Sequence, residues 1–531
     1  MIARNNPPSG FAMRQTKRAA WCLLAIVVAS ATTMLCFGHI ALIGNFSSYQ
    51  TIFGMIAKRY EANCFWNIWR PEFFPLESGS PILELIFFPL VSLLAAALRT
   101  IFGGNMDFWG RFVSVAATAA TTLLVYRISR LNFSRAAAVS ASFIFAFSPF
   151  VLVYGRNFQN EALALLFLSA SLYGVMKTNN ATILLLSAIS LGVSGALRLH
   201  FLFVLPVLLL FFPKDTHWTT RAFWILASIS IPLAWHMHNW HLQNTLPNVH
   251  STMFMQLQMG KTFPHPLLVN PPYYLHVLKS IVGWTIGPVA FVFALTSIEM
   301  LGKQKVLRKW IALSVFSWAT VVLIPDKIMA QHFYGYAATL PMSVLAGPAL
   351  AYALQKMPLL TFGIAVPLML LSSLAITSRP THHVSPSDLN VFPAADFIRQ
   401  SIPKDELVIA SHGASGDLLY YGDHLGWPFS ILPHKDRPLS VDMKIRIRGG
   451  PSQAKFDARN AAYRNSIDWL EYLHGQGARY FVVSSLQALE QNPALQEYLA
   501  NRYTLISKPS DPFCAYHLQK KSMFMLFGRV G

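Results

Sequence analysis

Apolar runs near the length of a bilayer span recur through the first 377 residues of this chain, and acidic residues are almost missing among them. A helix needs about 20 consecutive apolar residues to cross the hydrocarbon core. Residues 1–377 carry 25 of the 42 Lys and Arg but only 9 of the 23 Asp and Glu, whereas the last 154 residues carry 17 and 14. The charged fraction over all 531 residues is 12% and the mean hydropathy is +0.42. An ordinary soluble chain carries about twice that charge. A soluble enzyme, a disordered chain and a fibrous repeat are thereby excluded. The expected architecture is an α-helical polytopic membrane protein with a C-terminal α/β soluble domain.

The first run, Ala19 to Ile43, follows Arg4, Arg14, Lys17 and Arg18. It is long and has no clear small-residue cleavage site, so it reads as a retained helix behind a cytoplasmic N-terminus, residues 1–18. Further candidate spans are 109–126, 136–154, 160–176, 181–197, 199–213, 222–240, 277–299, 310–325, 333–355 and 358–377, about eleven in all. Alternate connections carry Arg127, Arg130 and Arg135; Lys177; Lys214 and Arg221; Lys303, Lys305, Arg308 and Lys309; then Lys356. The positive-inside rule puts these in the cytoplasm. The transmembrane module, 19–377, then has a long outer loop at 44–108, and residues 378–531 lie outside an inner (cytoplasmic) membrane. The run Pro81 to Phe102 holds Glu84, Pro89 and Arg99, and reads as a pair of helices lying on the outer membrane surface. In the C-terminal domain, Leu407–Ser411 and Tyr480–Ser484 read as buried strands, and Ile467–His474 and Ala494–Asn501 as helices.

The net charge of +19 follows the loops and forms no basic stripe with interleaved aromatics, which argues against nucleic acid. Cys22, Cys36, Cys64 and Cys514 are far apart and support neither a disulfide framework nor a zinc site. No GxxxxGK[ST] or strand-linked GxGxxG occurs, which argues against a nucleotide-driven pump or a dinucleotide enzyme. Six of the nine acids face outward in this topology: Glu61, Glu72, Glu77, Glu84, Asp107 and Glu161. Glu161 follows Tyr154-Gly155-Arg156-Asn157-Phe158-Gln159-Asn160 in a short outer hairpin. Such a carboxylate serves as base, metal ligand or substrate anchor, or simply complements a helix N-terminus. The loop from His241 to His276, with Lys261, has no metal-ligand spacing. Gln331-His332-Phe333-Tyr334 opens the tenth span from the outer side.

The order of these features resembles the GT-C class of membrane glycosyltransferases, in the clan of protein O-mannosyltransferases and lipid A aminoarabinose transferases. The resemblance covers roughly residues 19–355. It rests on Gly110-Arg111 entering the second span, Ser148-Pro149 followed by Tyr154-Gly155-Arg156 and Glu161, Gly195-Ala196-Leu197-Arg198, and His332-Phe333-Tyr334 with Pro341. Asp417-Leu418-Leu419-Tyr420-Tyr421 with Gly426-Trp427 resembles the outer domains of some bacterial members. The resemblance implies transfer of a sugar, with inversion, from a polyprenyl-phosphate donor in the membrane lipid to a glycan, lipid or protein acceptor. A divalent metal is compatible with that chemistry and not required by it. Glu161 matches the family's second acidic position. The first-loop acid of many members precedes a turn matched here by Ile56-Ala57-Lys58-Arg59, but its position falls at Tyr49-Gln50, and no acid lies between Trp21 and Tyr60. Glu72 and Glu77 are the substitute catalytic candidates. Tyr49, Gln50, Glu84, Arg156, His332 and Tyr334 are candidate substrate contacts, and Arg111, Arg198 and Lys261 candidate partners of the carrier phosphate. The rival expectations are a non-catalytic relative that binds lipid-linked sugar, and a transporter or flippase, which calls for paired broken helices.

Overall fold

The computed structural model describes residues 10–36, 42, 47–77, 80–84, 88–178, 180–246, 249–250, 266–302, 304–325, 332–377, 386–412, 415–431 and 465–519. The helices used below are, in chain order, α1 (Gly10–Cys36), α2 (Ser47–Ala62), α3 (Leu90–Phe102), α4 (Met106–Arg130), α5 (Arg135–Ala146), α6 (Glu161–Lys177), α7 (Ala181–Leu197), α8 (Trp218–Thr245), α9 (Pro288–Leu301), α10 (Thr339–Lys356) and α11 (Asp417–Gly422). Residue contacts gather the chain into two units. One comprises Met1–His39, Asp107–Met237 and Gln256–Arg379; the other comprises Ile40–Met106, His238–Met255 and Pro380–Gly531.

The first unit is helical. Among the described residues, five helices are long and apolar enough to cross a membrane, or six if one bent pair counts as a single span. Shorter apolar helices, α5 and α7 among them, add to these. The run expected as one span at 277–299 is that bent pair: Pro271–Thr285 and α9 meet at 94°. Gly287 holds φ at +82°, a left-handed conformation that favours glycine, and Pro288 opens the next helix without needing an N–H partner. The run expected at 136–154 also divides, into α5 and a short helix Pro149–Tyr154. Pro149 lacks the N–H that would continue the α5 ladder, so the break falls at Ser148-Pro149.

Helices α5 and α10 pack through small residues. A Cβ at Gly347 would stand 2.5 Å from the Ala137 carbonyl oxygen and 2.9 Å from the Ala141 Cβ. In a bilayer, where lipid is as apolar as the helices, such close backbone approach is the main source of helix association. Gly347→Ala is therefore expected to push the two helices apart and to destabilise the protein by about 1–3 kcal/mol. Thermal unfolding in detergent measures this; an unchanged midpoint would show that the contact is not tight.

Among the described residues, the second unit is built on one sheet of eight strands. They are β1 (Glu72–Glu77), β2 (Ser80–Glu84), β3 (Val249–His250), β4 (Leu407–Ser411), β5 (Gly426–Pro428), β6 (Ala478–Val483), β7 (Thr504–Leu505) and β8 (Cys514–His517), in spatial order β3-β2-β1-β5-β4-β6-β8-β7. Strand β4 runs parallel to β5 and β6 on its two sides. Its Val408, Ile409 and Ala410 are fully buried, which is why it reads in sequence as an unbroken apolar run. The approach of β5 is so close that a Cβ at Gly426 would overlap the Val408 carbonyl oxygen, at 1.8 Å.

Two expectations about the first loop are corrected. Pro81 to Phe102 is not a pair of helices. Its start pairs antiparallel with β1 as strand β2, with Leu76 opposite Pro81, and among the described residues the helical part is Leu90–Phe102. The buried face of α3, Val91, Ser92, Ala95 and Ala96, settles against α2, where Ser92 Oγ donates to the Phe53 carbonyl at 2.9 Å. Composition also grouped the whole loop with the apolar module, whereas contacts group it with the C-terminal residues. Backbone pairing of Pro75 in β1 with Gly426 in β5 is one reason, and composition carries no signal of such pairing.

Candidate functional site

Glu161 is the first residue of α6, and Arg198 caps the C-terminal end of α7. The two helices run antiparallel, so residues 37 apart in sequence meet at one end of the hairpin. Small polar residues zip it closed. Ser194 Oγ donates to the Ala164 carbonyl at 2.8 Å and Ser187 Oγ to the Ser171 carbonyl at 2.8 Å, while Trp224 Nε1 of α8 donates to Ser187 Oγ at 3.1 Å. Each end also suits its charge, since a helix N-terminus favours an anion and a C-terminus a cation. Arg198 donates from a terminal guanidinium nitrogen to Glu161 Oε1, with Glu161 0% and Arg198 5% exposed. Glu161 Oε2 has no hydrogen-bond partner among the described residues. Neither do both side-chain polar atoms of Gln159, two residues earlier.

The hairpin ahead of Glu161 is pinned by one face of α4. Gly110, Ser114 and Thr118 recur at four-residue intervals on that face. Ser114 Oγ donates to the Asn157 carbonyl at 2.6 Å, and Thr118 Oγ1 to the Gly155 carbonyl at 3.0 Å. A Cβ at Gly110 would lie 2.2 Å from the buried Phe158 ring. Arg111, the next residue, is only 7% exposed and lies close enough to Arg156 for the two cations to repel. Burial, and secondarily Arg111, push the Arg156 guanidinium down to about 10. It stays cationic at neutral pH, so the pair places two positive charges in a poorly solvated part of the first unit.

Aromatic rings close the Arg198 side. Its guanidinium lies 5.0 Å from the centre of the Phe333 ring. Phe333 stacks on Tyr334 at 4.8 Å, Tyr334 meets the His200 ring at 4.9 Å, and Tyr154 meets Phe333 edge-on at 5.8 Å. Arginine over an aromatic face keeps its charge while its hydrogen-bonding edge remains directed in the ring plane. The structure thus brings together Glu161, Arg198 and, through Phe333, Tyr334. A second group, Arg111 with Arg156, is set by α4 and the hairpin.

The other sequence candidates divide differently. Glu72 opens β1 and is paired with Arg59 of α2. Burial, and next Glu72, push the Tyr60 phenol above its ordinary range, while its hydroxyl donates to the Ile68 carbonyl at 2.8 Å. Glu72 is therefore engaged within its own loop. Ile56-Ala57-Lys58-Arg59 is no turn; it continues α2. Tyr49 and Gln50 sit in the first turns of the same helix, Tyr49 half-buried and Gln50 buried. Lys261 and the side chains of Glu77, Glu84 and His332 lie outside the described residues. Among the described residues no three His, Cys, Asp or Glu side chains converge as a metal-ligand set. Two features escaped the sequence reading: Gln159, and a buried pair of Thr51 with Asp417, where Thr51 Oγ1 donates to Asp417 Oδ1 at 2.8 Å.

Comparison with known proteins bears on this geometry. The family described as dolichyl-phosphate-mannose-protein mannosyltransferase matches residues 88–240. Compared by sequence alone, no curated protein matches. Among solved structures, ArnT from Cupriavidus metallidurans bound to undecaprenyl phosphate superposes with a TM-score of 0.62 at 12% identity, over 93% of this chain and 98% of that one. This chain has the GT-C fold. The arabinofuranosyltransferase AftD from Mycobacteria agrees, with a TM-score of 0.58 at 14% identity over 94% of this chain and 40% of that one. So does the Archaeoglobus fulgidus oligosaccharyltransferase AglB in complex with an inhibitory peptide and a dolichol-phosphate, with a TM-score of 0.54 at 12% identity over 94% and 74%. At such identities a GT-C likeness speaks for the fold. The stretch matched by the mannosyltransferase family contains Arg111, Arg156, Glu161 and Arg198.

Proposed function

We propose that this protein transfers a sugar from a polyprenyl-phosphate donor to an acceptor hydroxyl on the outer side of an inner membrane, with residues 378–531 on that side. The observation that carries the reading is the buried Glu161–Arg198 pair, taken together with the Arg111–Arg156 cations, all four residues lying in the stretch that the mannosyltransferase family matches. Relatives of the same fold bound to undecaprenyl phosphate or dolichol-phosphate support the class of donor.

In the proposed reaction the acceptor oxygen attacks the anomeric carbon from the face opposite the phosphate. The new C–O bond forms as the bond to the phosphate oxygen breaks, and the sugar inverts. The acceptor proton passes to Glu161 Oε2, the carboxylate oxygen that Arg198 leaves available. The leaving polyprenyl phosphate takes the bonding electrons, and Arg111 and Arg156 stabilise its added charge. Arg198 orients Glu161, and Tyr334 and Gln159 contact the sugar. No step runs through a metal.

The test is turnover of the purified protein in lipid with a panel of polyprenyl-phosphate sugars. Release of polyprenyl phosphate that depends on acceptor supports the reading. Donor binding without release, on wild-type protein, would favour a non-catalytic relative, the alternative raised by the lack of an acid between Trp21 and Tyr60.

A further inference from the structure

One face of helix α2 is occupied, position after position, by the short C-terminal helix α11. Thr51, Gly54, Met55 and Lys58 stand at intervals of three and four, the repeat of a single helical face. Thr51 Oγ1 donates to Asp417 Oδ1 at 2.8 Å, with both residues fully buried. Gly54 leaves room for the buried Tyr420 ring, since a Cβ there would lie 2.6 Å from Tyr420 Cε2. The Met55 methyl abuts Gly416, at 2.8 Å from where a Cβ of that residue would stand. Lys58 Nζ donates to the Tyr420 carbonyl at 2.7 Å, lies 4.3 Å from the centre of the Tyr420 ring and reaches Asp423 at 3.4 Å. The Leu42 N–H donates to the Tyr421 hydroxyl at 2.6 Å, so the chain ahead of α2 is held by the same helix.

We propose that α11 is a clamp that sets the position of α2, and that Asp417 is its positioning residue. A carboxylate removed from water is costly to keep, and a six-residue helix could dock through apolar contacts alone. The Thr51–Asp417 hydrogen bond adds what apolar contact does not, a fixed rotation and register of α2 about its axis. That register decides where Tyr49 and Gln50, immediately before Thr51, are presented. On this inference the C-terminal residues 380–531 serve the reaction by ordering the first loop. The consequence for turnover rests on the sugar-transfer reading and on the first loop's part in it; the clamp itself does not.

The experiment compares Asp417→Ala, Asp417→Asn and Thr51→Val with wild type, full length and in lipid nanodiscs. Three quantities are read: hydrogen exchange of α2, the unfolding midpoint, and kcat and KM for the donor per folded molecule. Asp417→Ala and Thr51→Val are expected to raise exchange in α2 selectively. They are expected to lower kcat roughly 100-fold, the scale of a 1 Å misplacement, with KM for the donor little changed. Asp417→Asn keeps an oxygen to accept from Thr51 and is expected to restore both protection and kcat. The proposal is overturned if Asp417→Ala lowers only the unfolding midpoint while α2 protection and kcat stay at wild-type values. It is equally overturned if Asp417→Asn fails as badly as Asp417→Ala, because the charge and not the hydrogen bond would then matter. Absence of turnover in wild type would sink the sugar-transfer reading, and exchange in α2 would still decide the clamp.

Discussion

Glu161→Gln is expected to reduce donor turnover by about 100- to 10,000-fold, the range over which a positioned general base contributes. Gln retains an oxygen to accept from Arg198 but gives up the anionic Oε2 on which the proposed proton transfer depends. Because the substitution also strips Arg198 of its counter-charge, loss of activity alone would be ambiguous. Glu161→Asp separates the effects. It keeps the charge and draws the carboxylate back by one methylene. Stability is then expected to fall less than in the Gln variant, while turnover still falls. Kinetics on protein shown to be folded by its unfolding transition measures both. Turnover of Glu161→Gln within tenfold of wild type would move the base elsewhere in the chain, and Glu72, held by Arg59 within the first loop, would be the next to replace.

How far the site was legible depends on the kind of constraint. Glu161 stood out because an acid beside an apolar run is expensive and so rarely incidental. Arg198 stood out only through the resemblance, where Gly195-Ala196-Leu197-Arg198 falls at a basic position of the GT-C class. What the sequence did not reveal is that these two residues face each other. Their meeting needs the antiparallel docking of α6 on α7, which Ser171, Ser187 and Ser194 encode only as hydroxyls scattered in apolar helices. The pinning of the hairpin by Gly110, Ser114 and Thr118 was hidden for the same reason, since a four-residue spacing of small residues is common in helices that cross membranes.

The fold shows a similar division. Apolar length located helices but not the expected eleven spans, since among the described residues five, or six with the bent pair, are long and apolar enough to cross a membrane. Strands β4 and β6 followed buried β-branched or aromatic runs. Breaks inside apolar runs were harder. Pro149 and Gly287 each interrupt a stretch whose hydropathy continues across the break, so a sliding measure of length joins what backbone chemistry separates. The first loop was the least legible. Pro81-Ile82-Leu83 reads equally as helix or strand until β1 supplies its partner, and a long-range pairing such as Pro75 with Gly426 leaves no local trace. The α2 face that meets α11 could have been found, because Thr51, Gly54, Met55 and Lys58 form a helical repeat; its mixed polarity disguised it as ordinary surface.

Removing Arg198 tests the electrostatic core of the site most severely. Arg198→Leu keeps bulk but leaves the Glu161 carboxylate, 0% exposed, without its cation, and breaking one side of a buried pair costs about 3–5 kcal/mol. Removing both charges is a different matter, since a buried ion pair replaced by uncharged groups of similar size is often close to neutral in stability. The double variant Glu161→Gln with Arg198→Leu is therefore expected to unfold at a higher temperature than Arg198→Leu alone, while remaining inactive. Arg198→Lys restores the charge but lacks the planar fork that lies over Phe333 and reaches Glu161, so it is expected to recover part of the stability and little of the turnover. Unfolding midpoints of wild type, both single variants and the double variant, in one detergent, complete the cycle. If the double variant were as unstable as the sum of the singles, the two side chains would contribute independently, and the pairing of Glu161 by Arg198 would not be what shapes this site. If instead the double recovers stability without activity, the pair is retained at a cost that only its chemistry explains.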